Sequence, residues 1–472
     1  MERLGHYTLL AAVIVSLVTT LPGEVPCCEL SYEVRPDPSA GVVDVSLAVY
    51  GFDGDSLVLV RPSARPLVGL LAQDPDVKGA RSGRWDVVDG APRWTFAQPE
   101  RGWGDPIRIQ YRLAITAEEP VNAWSVGLGP DLLYAPAEAL FLTPEMPTQA
   151  AMHARVNIQW RLPRDWEVVP GWDEYAFHGV RSLLRTNVLA GSIEHHQREA
   201  CGMTVAFAAQ GEWAFDRREL ADDMAALTCA ARHRLGDPGI DRLSVTLVPA
   251  RFPMTSGNRN GPHAIGLVHR LPDGSRPSVR LLAHELVHLW QQYDAPLWFQ
   301  EGVNDYLALR IANEAGLLDG GEYVDHLAAI DATYRANPHR RRWSFDDEAR
   351  EVPAYGPSDE YLAYRKGAIV GLALDRELRL RTEGEIDVAV LWREMNDLAS
   401  WGHVRWTADE ISARAAALID GNISPFFGRF VHGTADLPRP RTLLADLPPL
   451  PEPRAERGGL GRVAAFIQAT LD

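Results

Sequence analysis

Two histidines and a glutamate occur in the segment His284-Glu285-Leu286-Val287-His288, which has the form HExxH. In a helix, residues four positions apart lie on one face, so both imidazoles can bind one metal ion. Glu285 then lies where it can accept a proton from a water molecule beside that ion. Apolar neighbours on both sides indicate a largely buried helix, which suits a rigid ligand platform. The segment predicts a zinc site, although five residues alone also match this pattern by chance.

A second candidate helix follows and begins near Pro296, since proline is tolerated in a first helical turn. A catalytic zinc site needs three protein ligands and one open position. Glu301 is predicted as the third ligand, because the connection after His288 is long enough for the chain to reverse. Asp305 is four residues further on, where it can accept the free ring N–H of a ligating histidine. The alternative for both acids is an ordinary solvent-exposed helix face.

These residues resemble the gluzincins, thermolysin-like zinc peptidases whose third ligand is a glutamate, and more narrowly the glycyl aminopeptidase family. The resemblance covers roughly residues 280–440 and rests on HELVH, WFQEGVNDY, LRIANEAGLL, YRKGAIVGLALDRELRLRTEG and PFFGRFVHGTADLP. It implies one Zn²⁺ per chain, held by His284, His288 and Glu301. It also implies that Tyr364, in a Tyr-Arg-Lys-Gly stretch, stabilises the oxyanion of the reaction, with Tyr361 as the alternative.

The chain departs from that family in two places. Aminopeptidase relatives carry an acid in a glycine-rich segment before HExxH, and this acid binds the α-ammonium of the substrate. The corresponding residues 257–266 are glycine-rich and can form an edge strand over the cleft, but they include no acid. The choice between aminopeptidase and endopeptidase therefore stays open. The C-terminal PDZ domain usual in the family is not expected, since only about thirty residues follow PFFGRFVHGTADLP.

Composition and the N-terminus indicate the compartment. The formal charge of −16 and the pI of about 5.4 argue against nucleic acid or an anionic membrane as a partner, and a peptide or protein substrate is expected. An apolar run from Leu9 to Val18 predicts a signal peptide over residues 1–23, with an N-terminal anchor as the alternative. We therefore expect an exported protein, periplasmic or extracellular.

Four cysteines allow three disulfide pairings. An exported location favours disulfides, and the preferred pair is Cys201 with Cys229. The adjacent Cys27 and Cys28 are poorly placed to pair with each other. The alternative is that all four are small buried hydrophobic residues.

Periodicity predicts an α+β fold. From about residue 31 to 195 apolar residues alternate with polar ones, which is typical of half-buried antiparallel strands, and Asp89-Gly90 predicts a hairpin turn. We expect an antiparallel β-sandwich-like domain over 24–195. A thermolysin-like catalytic domain over 196–330 then has a helix at Leu220–Leu235, strands at Leu243–Val248 and Ile265–Leu271, and a loop from Arg251. A mostly helical part over 331–436 is interrupted by a polar loop at Pro338–Pro357. A Pro-rich extended tail at 437–472 ends in a short helix from about Arg462.

The leading hypothesis is a zinc-dependent metallopeptidase with Glu285 as general base and Tyr364 as oxyanion stabiliser. The alternative is an exported non-catalytic zinc-binding or peptide-binding protein with a peptidase-like fold. Because a degenerate site would lose the base first, an intact Glu285 favours the enzyme. A zinc hydrolase acting on a non-peptide bond is a third hypothesis.

Overall fold

The chain forms two compact units in a computed structural model. The residues described are 29–52, 56–60, 70–77, 83–88, 91–97, 105–146, 148–169, 177–184, 186–260, 263–351, 362–400, 405–445 and 447. The first unit takes in residues up to Glu118 and Ser125–Gly191. The second consists of Glu119–Trp124 and of the residues from Ser192 onward. The predicted signal peptide and the pair Cys27 and Cys28 lie outside the described residues.

The described residues of the first unit form three sheets. Their strand orders are β13-β11-β1-β2-β7-β4, β10-β3-β6-β5 and β12-β14-β9-β8. The strands are β1 (Glu29–Asp37), β2 (Val42–Tyr50), β3 (Ser56–Val60), β4 (Leu70–Val77), β5 (Gly83–Val88), β6 (Ala91–Ala97), β7 (Ile107–Ala114), β8 (Gly127–Gly129), β9 (Leu132–Pro136), β10 (Thr143–Pro144), β11 (Arg155–Trp160), β12 (Glu167–Val169), β13 (Phe177–His178) and β14 (Asn187–Gly191). Three short helices accompany them, α1 (Ala137–Leu140), α2 (Thr148–His153) and α3 (Val180–Leu184).

The alternation seen in the sequence is the pattern of burial in the first unit. In β7 the side chains of Ile107, Ile109, Tyr111 and Leu113 are buried and those between them are exposed. β5 and β6 pair antiparallel with Val88 opposite Ala91, as the predicted hairpin requires. The expected antiparallel sheets are confirmed, with one exception, because β1 pairs parallel with β11.

The second unit contains a five-stranded sheet in the order β15-β16-β17-β19-β18. Its strands are β15 (Glu194–Ala200), β16 (Met203–Ala209), β17 (Arg242–Pro249), β18 (Met254–Asn260) and β19 (Ala264–Arg270), and α4 (Arg217–Leu235) follows β16. β16, β17 and β19 run parallel, while β15 and β18 pair antiparallel at the two edges. The edge strand expected in the glycine-rich segment is confirmed as β18, and the loop expected from Arg251 is shorter than predicted because β18 begins at Met254.

The rest of the second unit is helical. Helix α5 (Val279–Val287) continues into a 3₁₀ turn (His288–Trp290), and a π-helical segment (Trp298–Val303) leads into α6 (Asn304–Glu314). The later helices are α7 (Gly320–Ala336), α8 (Phe345–Glu351), α9 (Leu362–Arg381), α10 (Val388–Ser400), α11 (Ala408–Leu418), α12 (Ser424–Phe430) and α13 (Pro440–Leu444). No helix in the described part of the chain is both long and apolar enough to cross a membrane.

Two sequence expectations about the helical part are corrected. The polar stretch expected as a loop at Pro338–Pro357 contains α8, in which Phe345 and Glu348 are buried. Glu348 accepts hydrogen bonds from the backbone N–H groups of Leu362 and Ala363 at the start of α9, so its burial is compensated. The Pro-rich stretch is not wholly extended, because α13 lies in it. The expected helix from Arg462 lies outside the described residues.

A disulfide joins Cys201 and Cys229, with a Cα–Cα distance of 5.3 Å. Cys201 and Gly202 form the two-residue turn between β15 and β16, and both have positive φ, as tight hairpin turns require. Cys229 lies in α4. The bridge therefore fixes the tip of the edge hairpin to the helix that packs on it.

Removal of this disulfide should destabilise the second unit. Replacing Cys201 and Cys229 with alanine should lower its free energy of unfolding by about 3 kcal/mol, because the bridge restrains the unfolded chain over a sequence separation of 28 residues. Urea unfolding with and without reductant measures the difference. Reductant should destabilise the wild type and leave the double variant unchanged; equal stability of the two proteins without reductant would contradict the prediction.

Candidate active site

Helix α5 presents the two histidines of the HExxH segment. Its N-terminus is capped by Ser278, whose hydroxyl accepts a hydrogen bond from the backbone N–H of Leu281 at 3.3 Å. His284 and Glu285 are buried in the last turn of the helix. His288 lies one turn later, at the start of the 3₁₀ turn, and its ring centroid is 4.8 Å from that of His284. The expected spacing on one face therefore holds, although the α-helix itself ends at Val287.

Three side chains converge with the geometry of a metal site. Nε2 of His284 is 3.2 Å from Nε2 of His288 and 3.2 Å from Oε2 of Glu301, and the remaining edge, from His288 to Glu301, is 3.5 Å. Zinc bonds of about 2.0–2.1 Å in a tetrahedral site place ligand atoms about 3.3 Å apart. The three donor atoms therefore fit three corners of a zinc tetrahedron, and a fourth corner is left for water or substrate.

Glu301 is held by a π-helical segment rather than by an ordinary α-helix. The segment begins at Trp298, just after Pro296, whose carbonyl accepts the N–H of Phe299 at 2.8 Å. Single π turns inside helices often occur at functional sites, because the wider turn redirects a side chain. Here the π turn contains Glu301 and ends where α6 begins, one residue before Asp305.

Asp305 orients the first histidine. Its Oδ1 accepts a hydrogen bond from Nδ1 of His284 at 2.9 Å, which leaves Nε2 for a metal. Its Oδ2 accepts one from Arg280 at 2.9 Å, and Arg365 lies 3.7 Å away. Burial alone would raise the pKa of Asp305, but His284 and these arginines lower it.

The protonation of the metal-free site follows from these contacts. Burial would lower the pKa of His284, yet hydrogen bonds to Asp305 and Glu301 outweigh burial and raise this pKa to about 10. For Glu301, the two histidines outweigh burial and lower its pKa. A metal ion that binds here replaces the proton shared by these groups, so binding releases protons.

The second histidine has a neutral partner. Nδ1 of His288 lies 3.2 Å from Oε1 of Gln291, and the amide nitrogen of Gln291 donates to the carbonyl of Tyr293 at 3.2 Å. The second bond fixes the orientation of the amide, so its oxygen faces His288 and accepts the Nδ1 proton. Nε2 of His288 is thereby left for the metal.

Glu285 is buried beside the three donor atoms, and edge strand β18 lies directly over it. A Cβ added to Gly257 would stand 2.5 Å from Cγ of Glu285 and 2.6 Å from its Oε1. Only glycine therefore leaves room for the carboxylate at this position. Burial raises the pKa of Glu285, which makes it a stronger base than an exposed glutamate.

Tyr364 reaches the site from α9. The hydroxyl of Tyr364 donates a hydrogen bond to Glu301. Burial, and after it the charge of this carboxylate, raises the pKa of Tyr364, so the hydroxyl keeps its proton and can donate it in a hydrogen bond. The approach is permitted by two glycines. A Cβ on Gly302 would lie 2.5 Å from Cα of Gly367, and one on Gly367 would lie 2.6 Å from the carbonyl oxygen of Trp298. Tyr361, the alternative, lies outside the described residues.

Several residues of the site are not apparent from the motifs. Arg280 is four residues before His284 on the same helix face, so helical spacing could have indicated it. Gln291 is three residues after His288, but that pairing depends on the 3₁₀ turn. Gly257 depends on a long-range contact between β18 and α5, for which the sequence carries no local signal.

No protein-family model matches this sequence, and no curated protein sequence matches it. Several solved structures are similar to this chain. An aminopeptidase N family protein from Idiomarina loihiensis superposes with a TM-score of 0.72 at 15% identity, over 88% of this chain and 78% of that one. An M1 zinc metallopeptidase from Deinococcus radiodurans superposes with a TM-score of 0.55 at 16% identity, over 88% of this chain and 95% of that one.

These similarities establish the fold. A glutamate-to-alanine mutant of the Deinococcus radiodurans M1 enzyme bound to a Tyr-Ser-Ala substrate is also similar, with a TM-score of 0.55 at 15% identity over 88% of this chain and 95% of that one. The chain therefore has the fold of the M1 zinc metallopeptidases. This confirms the expected gluzincin-like, α+β architecture with a mostly helical C-terminal region.

The Asp305 contact predicts a change in metal affinity. Asp305→Asn should weaken zinc binding by about 10- to 100-fold, because His284 loses its anionic partner. Competition with a chromophoric zinc chelator measures the affinity. Asp331→Asn is the matched control, since Asp331 is equally buried and pairs with Arg335 on α7. Equal zinc affinity in wild type and Asp305→Asn would show that this carboxylate does not support the metal.

Proposed function

We propose that the chain is a zinc-dependent metallopeptidase that hydrolyses peptide bonds. The observation that carries the proposal is the arrangement of His284, His288 and Glu301 at three corners of a zinc tetrahedron, with a buried glutamate beside it. A hydroxyl donor, Tyr364, completes the set. The fold shared with M1 zinc metallopeptidases supports the same function.

The reaction divides among the residues as follows. When bound by His284, His288 and Glu301, zinc lowers the pKa of water and polarises the scissile carbonyl. Glu285 accepts the proton of the attacking water at its carboxylate and passes it to the leaving amine. Tyr364 donates a hydrogen bond to the developing oxyanion, in the preorganised manner that such reactions need. Asp305 and Gln291 keep the Nδ1 protons of the histidines away from the metal side.

The position of cleavage in the substrate is left to experiment. An aminopeptidase needs an anionic group for the α-ammonium of its substrate. The three carboxylates of the site, Glu285, Glu301 and Asp305, are engaged as base, ligand and partner of His284. The residues of β18 include no acid. These features favour cleavage without recognition of a free N-terminus.

An exported location is part of the proposal. The disulfide between Cys201 and Cys229 supports it, since such bonds persist in oxidising compartments. The apolar run from Leu9 to Val18 supports it independently. A peptide or protein is the proposed substrate.

One experiment tests metal and base together. Purified wild type, His288→Ala and Glu285→Gln should be compared for zinc content and for cleavage of a mixed peptide library. We expect stoichiometric zinc in the wild type and in Glu285→Gln, and loss of zinc in His288→Ala. Cleavage should fall by about 10²- to 10⁴-fold in Glu285→Gln, because the proton acceptor is lost. Mass spectrometry of the products gives the cleavage positions.

The outcomes separate the hypotheses. A wild type without zinc would refute the ligand assignment. Zinc without cleavage of any peptide would favour a non-catalytic binding protein or a non-peptide substrate. Cleavage restricted to N-terminal residues would show an aminopeptidase that recognises the free N-terminus without an acid on β18.

The hydroxyl of Tyr364 generates a separate prediction. Tyr364→Phe keeps the ring and removes the donor, so kcat should fall by about 10²- to 10³-fold with zinc content unchanged. Tyr334→Phe on α7 is the control, since it removes a tyrosine hydroxyl that contacts Asp436. Similar kcat values for Tyr364→Phe and wild type would show that another group stabilises the oxyanion.

A further inference from the structure

Edge strand β18 is contacted on both of its faces within the second unit. Alternate residues of a strand point to opposite faces. Ser256 and Asn258 face the segment Glu119–Trp124: the hydroxyl of Ser256 accepts the N–H of Ala123 at 3.3 Å, and the amide of Asn258 donates to its carbonyl at 2.8 Å. Gly257 and Arg259 face the metal-binding helix instead.

Arg259 forms hydrogen bonds at the C-terminal end of that helix. Its Nη1 donates to the carbonyl oxygen of Gln291 at 2.5 Å and also to the carbonyl oxygen of His288. Carbonyl groups at the C-terminal end of a helix attract cations, so an arginine is favourable here. Both acceptors belong to the metal site, since His288 supplies a ligand atom and Gln291 orients its ring.

Gly257 touches the general base from the same face of the strand. It is two residues before Arg259, and its α-carbon lies against the carboxylate of Glu285. The strand therefore contacts the metal-binding helix at two places. Gly257 contacts the general base Glu285, and Arg259 contacts the turn that carries the ligand His288. Any movement of the strand away from the helix opens the space beside Glu285 and releases the turn that carries His288.

We propose that Arg259 is a positioning residue for the hydrolysis. It fixes β18 to the turn of His288 and Gln291, and thereby keeps Gly257 against the carboxylate of Glu285. The inference rests on the proposed peptidase function for its kinetic part. A second part of the inference does not depend on activity. The contact of Arg259 with the turn also keeps β18 against the helix and keeps His288 in place.

The first test compares Arg259→Ala and Arg259→Lys with the wild type. In Arg259→Ala, kcat should fall by about 10- to 100-fold, since small misplacements of reacting groups have effects of this size. KM should change by less than about threefold, because the interaction lost acts on the chemical step. Arg259→Lys should recover part of kcat, since an ammonium group can donate to the same two carbonyls. Arg276→Ala, which removes a partly exposed arginine that pairs with Asp223, is the control.

Two readouts do not depend on peptide cleavage. Hydrogen exchange of the backbone amides should become faster in residues 254–260 and 288–293 of Arg259→Ala, with the rest of the second unit unchanged. Zinc release to a chelator should also become faster, and both changes should be smaller in Arg259→Lys. If the wild type cleaves no peptide, the proposed peptidase function is wrong. Hydrogen exchange and zinc release then still show whether Arg259 positions β18 and His288.

A double-mutant cycle with Gly257→Ala completes the test. In the wild-type background the added methyl group collides with Glu285, because Arg259 holds the strand in place. In the Arg259→Ala background the strand can retreat, so the same methyl group should reduce kcat less. Independent effects of the two substitutions would overturn the proposal. So would a kcat for Arg259→Ala within about twofold of the wild type, or faster exchange spread evenly over the second unit.

Discussion

The active site depends on the contact of two backbones at Gly302 and Gly367. The π-helical segment and α9 approach so closely there that no side chain fits between them. Glu301 immediately precedes the first glycine, and Tyr364 is almost one turn before the second. A single close contact therefore sets the distance between Glu301 and Tyr364. Gly371 lies one turn further along α9, on the same helix face, and packs against Tyr306. The close approach of the two elements therefore continues along the helix.

Burial of the charged groups beside the metal-binding residues is tolerated because they are paired with one another. An isolated buried charge is costly, and pairing with hydrogen bonds offsets much of that cost. Asp305 has His284 and Arg280, and behind it Arg310 pairs with Asp375 at 3.0 Å. The aromatic rings that surround the π segment, such as Phe299 stacked on Trp392, exclude water from this network. The metal ligands are thus held by both apolar packing and compensated charge.

The sequence predicts the parts of this site whose contacts are local. HExxH and the acid four residues after Glu301 follow from helical spacing, and the strands of the first unit follow from alternation of apolar residues. The π turn does not follow, because it depends on how Trp298 and Gly302 pack against α9. The sequence indicated that an edge strand could form but not where it begins and ends, since Ser256, Asn258 and Arg259 show no alternation of apolar residues. The partners of these polar residues come from segments far away in sequence, and a single sequence gives no information on such contacts.

The segment Glu119–Trp124 makes the two units inseparable by a single cut. The chain leaves the first unit after Glu118, contributes six residues to the second, and returns to the first at Ser125. A shortened chain beginning at Ser192 would keep every metal ligand and the base. It would lack Ala123, so Ser256 and Asn258 would each lose a hydrogen bond to the backbone of that residue. The second unit therefore cannot be treated as a module that evolution or an engineer could transfer alone, because one piece of it is encoded within the sequence of the first unit.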